Sequence, residues 1–197
     1  MEFKKIQLNG FKSFAEKADF LIEDGLTGIV GPNGCGKSNI VESLRWAMGE
    51  TSAKSMRGSG MEDVIFSGTS NKASKNIAEV TIEVENKDKE GPIQYREHDQ
   101  VQIKRKIEKD KGSKFYINGK EVRARDAQMF FADLSTGAHS PSMISQGRIG
   151  ALVTAKPTDR RAILEEAAGI SGLHVRRHEA ELRLGAAENN LKRADEL

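Results

Sequence analysis

Eight consecutive residues, Gly31-Pro32-Asn33-Gly34-Cys35-Gly36-Lys37-Ser38, fulfil the pattern G-x-x-x-x-G-K-[ST] in full. Each part of that spacing has a mechanical reason. The glycines let successive backbone N–H groups turn inward around a β-phosphate, and the positive end of the helix that follows adds to their field. Lys37 can then reach the β- and γ-phosphates, and the Ser38 hydroxyl is placed to bind Mg²⁺. The flanks agree with this reading. Leu26 to Val30 forms a short apolar run that predicts a strand leading into the loop. Behind the loop, Ile40, Val41, Leu44, Ala47 and Met48 fall at helical spacing, so Asn39 to Met48 predicts a helix that buries one stripe. A plain glycine-rich turn would account for neither the lysine–serine pair nor the flanks. Cys35 reads as a small loop residue, since no His or Asp pattern nearby makes it a nucleophile.

Around this unit the chain reads as β-rich. Phe3, Ile6 and Leu8 begin an edge-strand-like segment that ends at Asn9-Gly10, and Phe20-Leu21-Ile22 reads as a second strand before the turn Asp24-Gly25. Ala78, Val80, Ile82 and Val84 alternate with polar residues, and Val101, Ile103 and Ile107 continue an imperfect alternation. Asn118-Gly119 is a strong two-residue hairpin signal between Phe115-Tyr116-Ile117 and Glu121-Val122. The expected fold is therefore α/β, with a mixed sheet, an antiparallel β-meander in the middle third and a helix from about Asp126 to Leu134.

The composition changes after Pro157, which with Thr158-Asp159 makes a good helix start. Leu173, Arg177, Ala180, Leu184, Ala187, Leu191 and Ala194 then follow at alternating spacings of four and three, a heptad seam with one basic intruder. An ordinary amphipathic helix is the competing reading over so short a seam. This division sets residues 1–157 apart as a lobe and 158–197 as a helix opening into a coiled coil.

Charge supplies the remaining constraint. Between Val101 and Arg125 nine basic residues stand against three acids, a local +6 in a chain whose net charge is +2. Such an excess suits an anionic partner, although surface strands also carry lysines for solubility. No apolar run of membrane-spanning length is present, and the N-terminal segment lacks the apolar core of a secretory signal. The single cysteine fits a reducing cytoplasm.

Binding a nucleotide is less than hydrolysing it. Hydrolysis by such a loop also calls for a Mg²⁺-holding aspartate after a second apolar strand and a group that orients water. Phe130-Phe131-Ala132-Asp133 and Leu134-Ser135-Thr136-Gly137 imitate that strand and a serine–glycine signature. Three apolar residues are too few for the strand, and Leu134 stands where an acid should follow, so both read as decoys.

Several further blocks carry a resemblance. Phe11-Lys12-Ser13-Phe14, the loop Gly31 to Asn39, Arg45-Trp46-Ala47-Met48-Gly49-Glu50, Ser55-Met56-Arg57-Gly58 and Met61 to Phe66 are similar to the N-terminal segment of bacterial SMC (structural maintenance of chromosomes) proteins. So are Gln146-Gly147-Arg148 and Arg160 to Gly169, and the resemblance extends over essentially the whole chain. It implies an ABC-type ATPase head split across a long coiled-coil arm, with the missing parts supplied by the C-terminal half of the same head. ATP with Mg²⁺ would be held by Lys12, Ser13, Pro32, Asn33, Gly34, Cys35, Gly36, Lys37, Ser38 and Asn39. Gln146 would contact Mg²⁺ and the attacking water, and Arg57 would assist hydrolysis when two heads engage. Arg123 and Arg125, and more weakly Lys104 and Lys106, would meet double-stranded DNA through its backbone, without sequence preference. Ser59-Gly60 stands where relatives often carry a lysine, so that contact is not carried over. The implied partners are a second SMC chain as a homodimer, a kleisin and its accessory subunit, on the nucleoid in the cytoplasm. A split-head DNA-repair ATPase and a non-enzymatic DNA-binding scaffold are the alternatives. A transport ATPase subunit would need its signature in a compact chain rather than heptads. This segment alone is expected to bind ATP without turning it over.

Overall fold

The computed structural model describes residues 1–89, 91–134, 143, 153–168 and 171–195. Contacts divide the chain into two units, Met1–His139 and Ser140–Leu197.

In the first unit six strands form one sheet in the order β2-β1-β3-β4-β5-β6. They are β1 Glu2–Asn9, β2 Ala18–Leu21, β3 Ile77–Glu85, β4 Gln100–Glu108, β5 Gly112–Ile117 and β6 Lys120–Val122. The last four make the expected meander. Asn118 and Gly119 both take positive φ, 48° and 78°, so the β5–β6 connection has the backbone twist that a two-residue hairpin needs. Along β3 and β4 the inward register positions Ala78, Val80, Ile82, Val84, Val101, Ile103 and Ile107 are buried. Helix α1, Lys37–Ala47, lies against β3 and β4, and α2, Ala124–Asp133, lies against β5. Trp46 and Ala47 of α1 and Ala127, Phe130 and Phe131 of α2 complete the core. Phe130 stacks edge-on to both Tyr95 and Phe131, a geometry aromatic rings favour beyond simple burial.

Three expectations need correction. First, β1 is no edge strand. It pairs with β2 on one side and β3 on the other, and the four-residue β2 takes the edge. Second, Leu26–Val30 forms no strand, and the mixed sheet therefore becomes, among the described residues, an antiparallel one. The reason is physical: no described segment offers this run a hydrogen-bonding neighbour, and a strand does not persist without a ladder. Leu26 is 99% exposed and Val30 93%. Third, Arg105 does not belong to the surface charge of the basic stretch; it is 4% exposed. Asp133 closes α2 rather than a strand, in keeping with its reading as a decoy, and Ser135 to Gly137 lie outside the described residues.

In the second unit α3 spans Pro157–Ala167, with proline in the first turn where its missing N–H costs nothing. Helix α4 then runs unbroken over Ser171–Asp195, about 37 Å at the usual rise. Ion pairs one turn apart, Arg161–Glu165 and Arg177–Glu181, brace the two helices. The seam residues Arg177, Ala180, Leu184, Ala187 and Leu191 are all exposed. An apolar seam of this kind is one that a second helix would cover. Among the described residues no helix is long and apolar enough to cross a membrane.

Candidate phosphate-binding site

The loop between Val30 and α1 folds as its glycines require. Gly34 and Gly36 take φ of 83° and 94°, values at which a Cβ is strained. A side chain at Gly36 would also strike the Ser13 hydroxyl at 2.6 Å. Lys37 reaches back over the loop and donates to the carbonyls of Gly31 and Pro32, at 2.6 and 2.7 Å. Its ammonium therefore rests on backbone acceptors of the loop, which an incoming phosphate can replace. The Ser38 hydroxyl is exposed in the first turn of α1. One hydroxyl together with phosphate oxygens and water is the kind of sparse oxygen donor set that Mg²⁺ accepts. The residues present thus fit a Mg²⁺–triphosphate. Pro32, Asn33 and Cys35 line the exposed loop, and the Cys35 sulfur is 3.8 Å from the Lys37 ammonium.

A second element is joined to this loop. Phe11 and Phe14 exchange backbone hydrogen bonds of 3.1 and 2.8 Å, which closes a two-residue turn with Lys12 and Ser13 at its tip. Phe11 is fully buried against Trp46, with ring centroids 5.5 Å apart, and Phe14 packs on Phe20. The motif thus consists of two aromatic anchors with a polar tip between them. The Ser13 hydroxyl accepts from the Asn39 amide at 2.8 Å, so the tip is fixed to the first turn of α1. Lys12 has φ 47°, a left-handed backbone that costs a non-glycine residue roughly 1–2 kcal/mol. Its ammonium turns to Glu42 and to the carbonyl of Met56, the latter at 2.5 Å.

Arg57 arrives from a third segment. A 3-10 turn over Lys54–Met56 ends at Arg57, which is left-handed at φ 55°. Its guanidinium also pairs with Glu42. The next turn, Met61–Val64, is held by Asp63, whose carboxylate accepts from the backbone N–H groups of Ser59 and Gly60 and from the Ser59 hydroxyl. Those bonds hold the Asp63 carboxyl below its usual range, the one from Gly60 first. Lys12, Ser13, Asn39, Arg57 and the loop are therefore brought together. Gln146 lies outside the described residues.

Two residues that sequence reasoning missed support this arrangement. Glu42, 8% exposed, is the shared partner of Lys12 and Arg57. Arg105 holds the far end of α1. Its guanidinium donates to the carbonyls of Trp46 and Glu50, both at 2.7 Å, and to the Ser113 hydroxyl at 2.8 Å. It lies 4.5 Å from the centre of the Trp46 ring system and 4.8 Å from that of Phe115. Burial lowers the Arg105 pKa to about 10, against the raising influence of the Glu50 carboxylate. Glu50 is itself buried, paired with Arg45 at 3.0 Å and accepting from Ser52 N–H at 2.8 Å.

The candidate DNA contacts fall into two groups. Arg123 and Arg125 are exposed where α2 begins, and Arg123 borders a shallow groove of about 490 Å³ between β5, β6 and α2. Lys104 and Lys106 are half-buried on the outward side of β4, where Lys106 faces Glu79 at 3.8 Å. That acid offsets part of its charge, so the outward sheet face is less basic than the sequence count implies.

The family model of the RecF/RecN/SMC N terminal domain matches residues 2–148. The chain is 56% identical over its whole length to the chromosome partition protein Smc of Rhodopseudomonas palustris. It spans 17% of that relative's length. Among solved structures, the Smc head domain of Pyrococcus furiosus, with an extended coiled coil and bound to the C-terminal domain of ScpA, superposes with TM-score 0.79 at 32% identity. The match covers 98% of this chain and 48% of that one. An SMC ATPase structure, described for ATP-driven dimerization and DNA-stimulated activation, is similar with TM-score 0.72 at 31% identity. There the match covers 85% of this chain and 99% of that one.

Proposed function

This chain belongs to the RecF/RecN/SMC N-terminal domain family, and from that premise we propose that it is the ATP-binding part of the head of a chromosome-partitioning ATPase. The observation that carries the reading is the loop Gly31 to Ser38 opening α1, with Lys37 poised on loop carbonyls and the Lys12–Ser13 turn fastened beside it. Backbone N–H groups and Lys37 bind the phosphates, Ser38 binds Mg²⁺, and Ser13 and Asn39 hold the loop's shoulder. Arg57 is proposed to add a planar cation to the terminal phosphate. Gln146 is proposed to orient water. Mg²⁺ supplies charge neutralisation between the phosphates when bound.

The same polypeptide's distant segment is proposed to bring the aspartate–glutamate strand and to pair with Leu26–Val30, and a second head to bring the signature serine. ATP then holds two heads together and hydrolysis releases them. The exposed seam of α4 is proposed to zip with a returning helix, and a kleisin with its accessory subunit to join the assembly. The Pyrococcus furiosus head bound to a ScpA domain supports that last partner. Relatives that are chromosome partition proteins favour this role, on the nucleoid in the cytoplasm, over DNA repair or an inert scaffold. The test is complementation. This chain alone should show no turnover, and addition of the C-terminal head segment should restore ATP hydrolysis. Steady hydrolysis by the pure chain alone would refute the half-site reading.

DNA binding is proposed for the start of α2. Replacing Arg123 and Arg125 together with Glu should weaken binding to all duplex sequences alike, and should reduce the slope of log affinity against log salt by about two or more. Retention of full affinity at low salt would reject the site.

A further inference from the structure

Glu42 ties together two cations that come from separate parts of the chain. It lies on α1 one turn beyond Asn39, is 8% exposed, and gives one carboxylate oxygen to Lys12 and the other to Arg57. Both partners stand on left-handed backbone, at φ 47° and 55°. Strained non-glycine residues persist where surrounding contacts over-determine them, and Glu42 is the contact the two have in common.

The two cations are not held equally. The Lys12 side chain is 14% exposed and also donates to the Met56 carbonyl, so it is fixed from two directions. The Arg57 side chain is 60% exposed, and Glu42 is the ion-pair partner the structure gives it among the described residues. Arg57 can therefore leave, whereas Lys12 stays and keeps the Glu42 carboxylate neutralised.

We propose that Glu42 is a positioning residue that parks Arg57 in the nucleotide-free head and sets how readily Arg57 is handed to the terminal phosphate. This rests on the ATP-binding reading above. Arg57 exchanges one anion for another, so the net gain on transfer is the difference between two ion pairs rather than the full strength of one. A carboxylate at the resting site thus keeps hydrolysis low until Arg57 is drawn away. Lys12 prevents the vacated Glu42 from being left as an unpaired buried charge, which would otherwise resist the exchange.

The decisive variant is Glu42→Gln. Its amide oxygen can still accept from Lys12, while its NH₂ faces Arg57 and gives it no anion. Two measurements on the full-length protein separate the possibilities. In nucleotide-free protein, phenylglyoxal should modify Arg57 faster in Glu42→Gln, about threefold or more, because a guanidinium released from its carboxylate partner is freer to meet the reagent. This is read by peptide mass spectrometry. In steady-state hydrolysis, Glu42→Gln should raise kcat roughly two- to fivefold with KM for ATP within about twofold, and should have no effect on kcat in an Arg57→Ala background. Glu42→Asp, which keeps the charge, should restore slow modification. An unchanged modification rate overturns the proposal, as does a fall in kcat of equal size with and without Arg57. If the wild-type protein binds no ATP by calorimetry, the ATP reading fails instead, and the nucleotide-free modification still decides whether Glu42 parks Arg57.

Discussion

Lys37→Ile in the reassembled head should abolish ATP binding, lowering affinity by at least about a hundredfold, or roughly 3 kcal/mol. The size follows from where the ammonium sits. It lies at the loop mouth, bonded to the carbonyls of Gly31 and Pro32, and no other described cation is placed inside the loop. Isoleucine removes the charge and also puts a branched apolar side chain against backbone acceptors that had a partner. The loop's N–H groups and the helix dipole remain, but an anion carrying three to four negative charges would meet them without the loop's own cation. Calorimetry on wild type and variant is the check, with circular dichroism to show that α1 is intact. Unchanged ATP affinity would sink the assignment of this loop.

Arg105→Met should be the most damaging single change away from the loop, costing about 3 kcal/mol of stability. Methionine roughly preserves volume and contact with the Trp46 and Phe115 rings, so the loss isolates the guanidinium's hydrogen bonds. The Trp46 carbonyl in the last turn of α1 would keep only the Gly49 N–H, and the Glu50 carbonyl just beyond the helix would lose the guanidinium. The Trp46 carbonyl is a helix-terminal acceptor of the kind satisfied from outside the helix, and a cation there also complements the helix dipole. The effect should therefore extend beyond stability. With its far end loosened, α1 should hold the phosphate loop less firmly, and ATP affinity should fall along with the denaturation midpoint. A midpoint within experimental error of wild type would show that water or a neighbouring side chain replaces the arginine.

These two residues also mark the limit of what the sequence discloses. Lys37 is legible because its task is local: six residues of backbone define the loop, and the spacing is the mechanism. The meander was legible for a similar reason, since alternation and Asn118-Gly119 specify strands and a turn over short distances. Arg105 is one of the nine basic residues between Val101 and Arg125, and a count of composition cannot tell a buried guanidinium from surface charge. Its position, two residues from Ile103 and from Ile107, already placed it on the inward face of β4. What the sequence did not hold was the reason burial is tolerated there, namely carbonyls from Trp46 and Glu50 and a ring from Phe115. Glu42 was hidden in the same way. Its partners Lys12 and Arg57 lie 30 residues before it and 15 after it, and nothing local ties the three together. Leu26–Val30 failed in the opposite sense. Its composition is that of a buried strand, but pairing is decided by a neighbour, and no described segment provides one.

That unpaired run bears on the life of the chain before assembly. Leu26, Thr27, Gly28, Ile29 and Val30 are uncharged and free of proline, and Leu26 and Val30 are almost wholly in water. Backbone groups without a ladder beside apolar side chains form a template that any passing strand can extend. On the proposed pairing with a distant segment, a newly made lobe would carry this exposed run until that strand is added. High concentration and scarcity of chaperones would each favour self-association over that pairing. The residues that lead into the phosphate loop are thus also a point at which the lobe is exposed to misassembly.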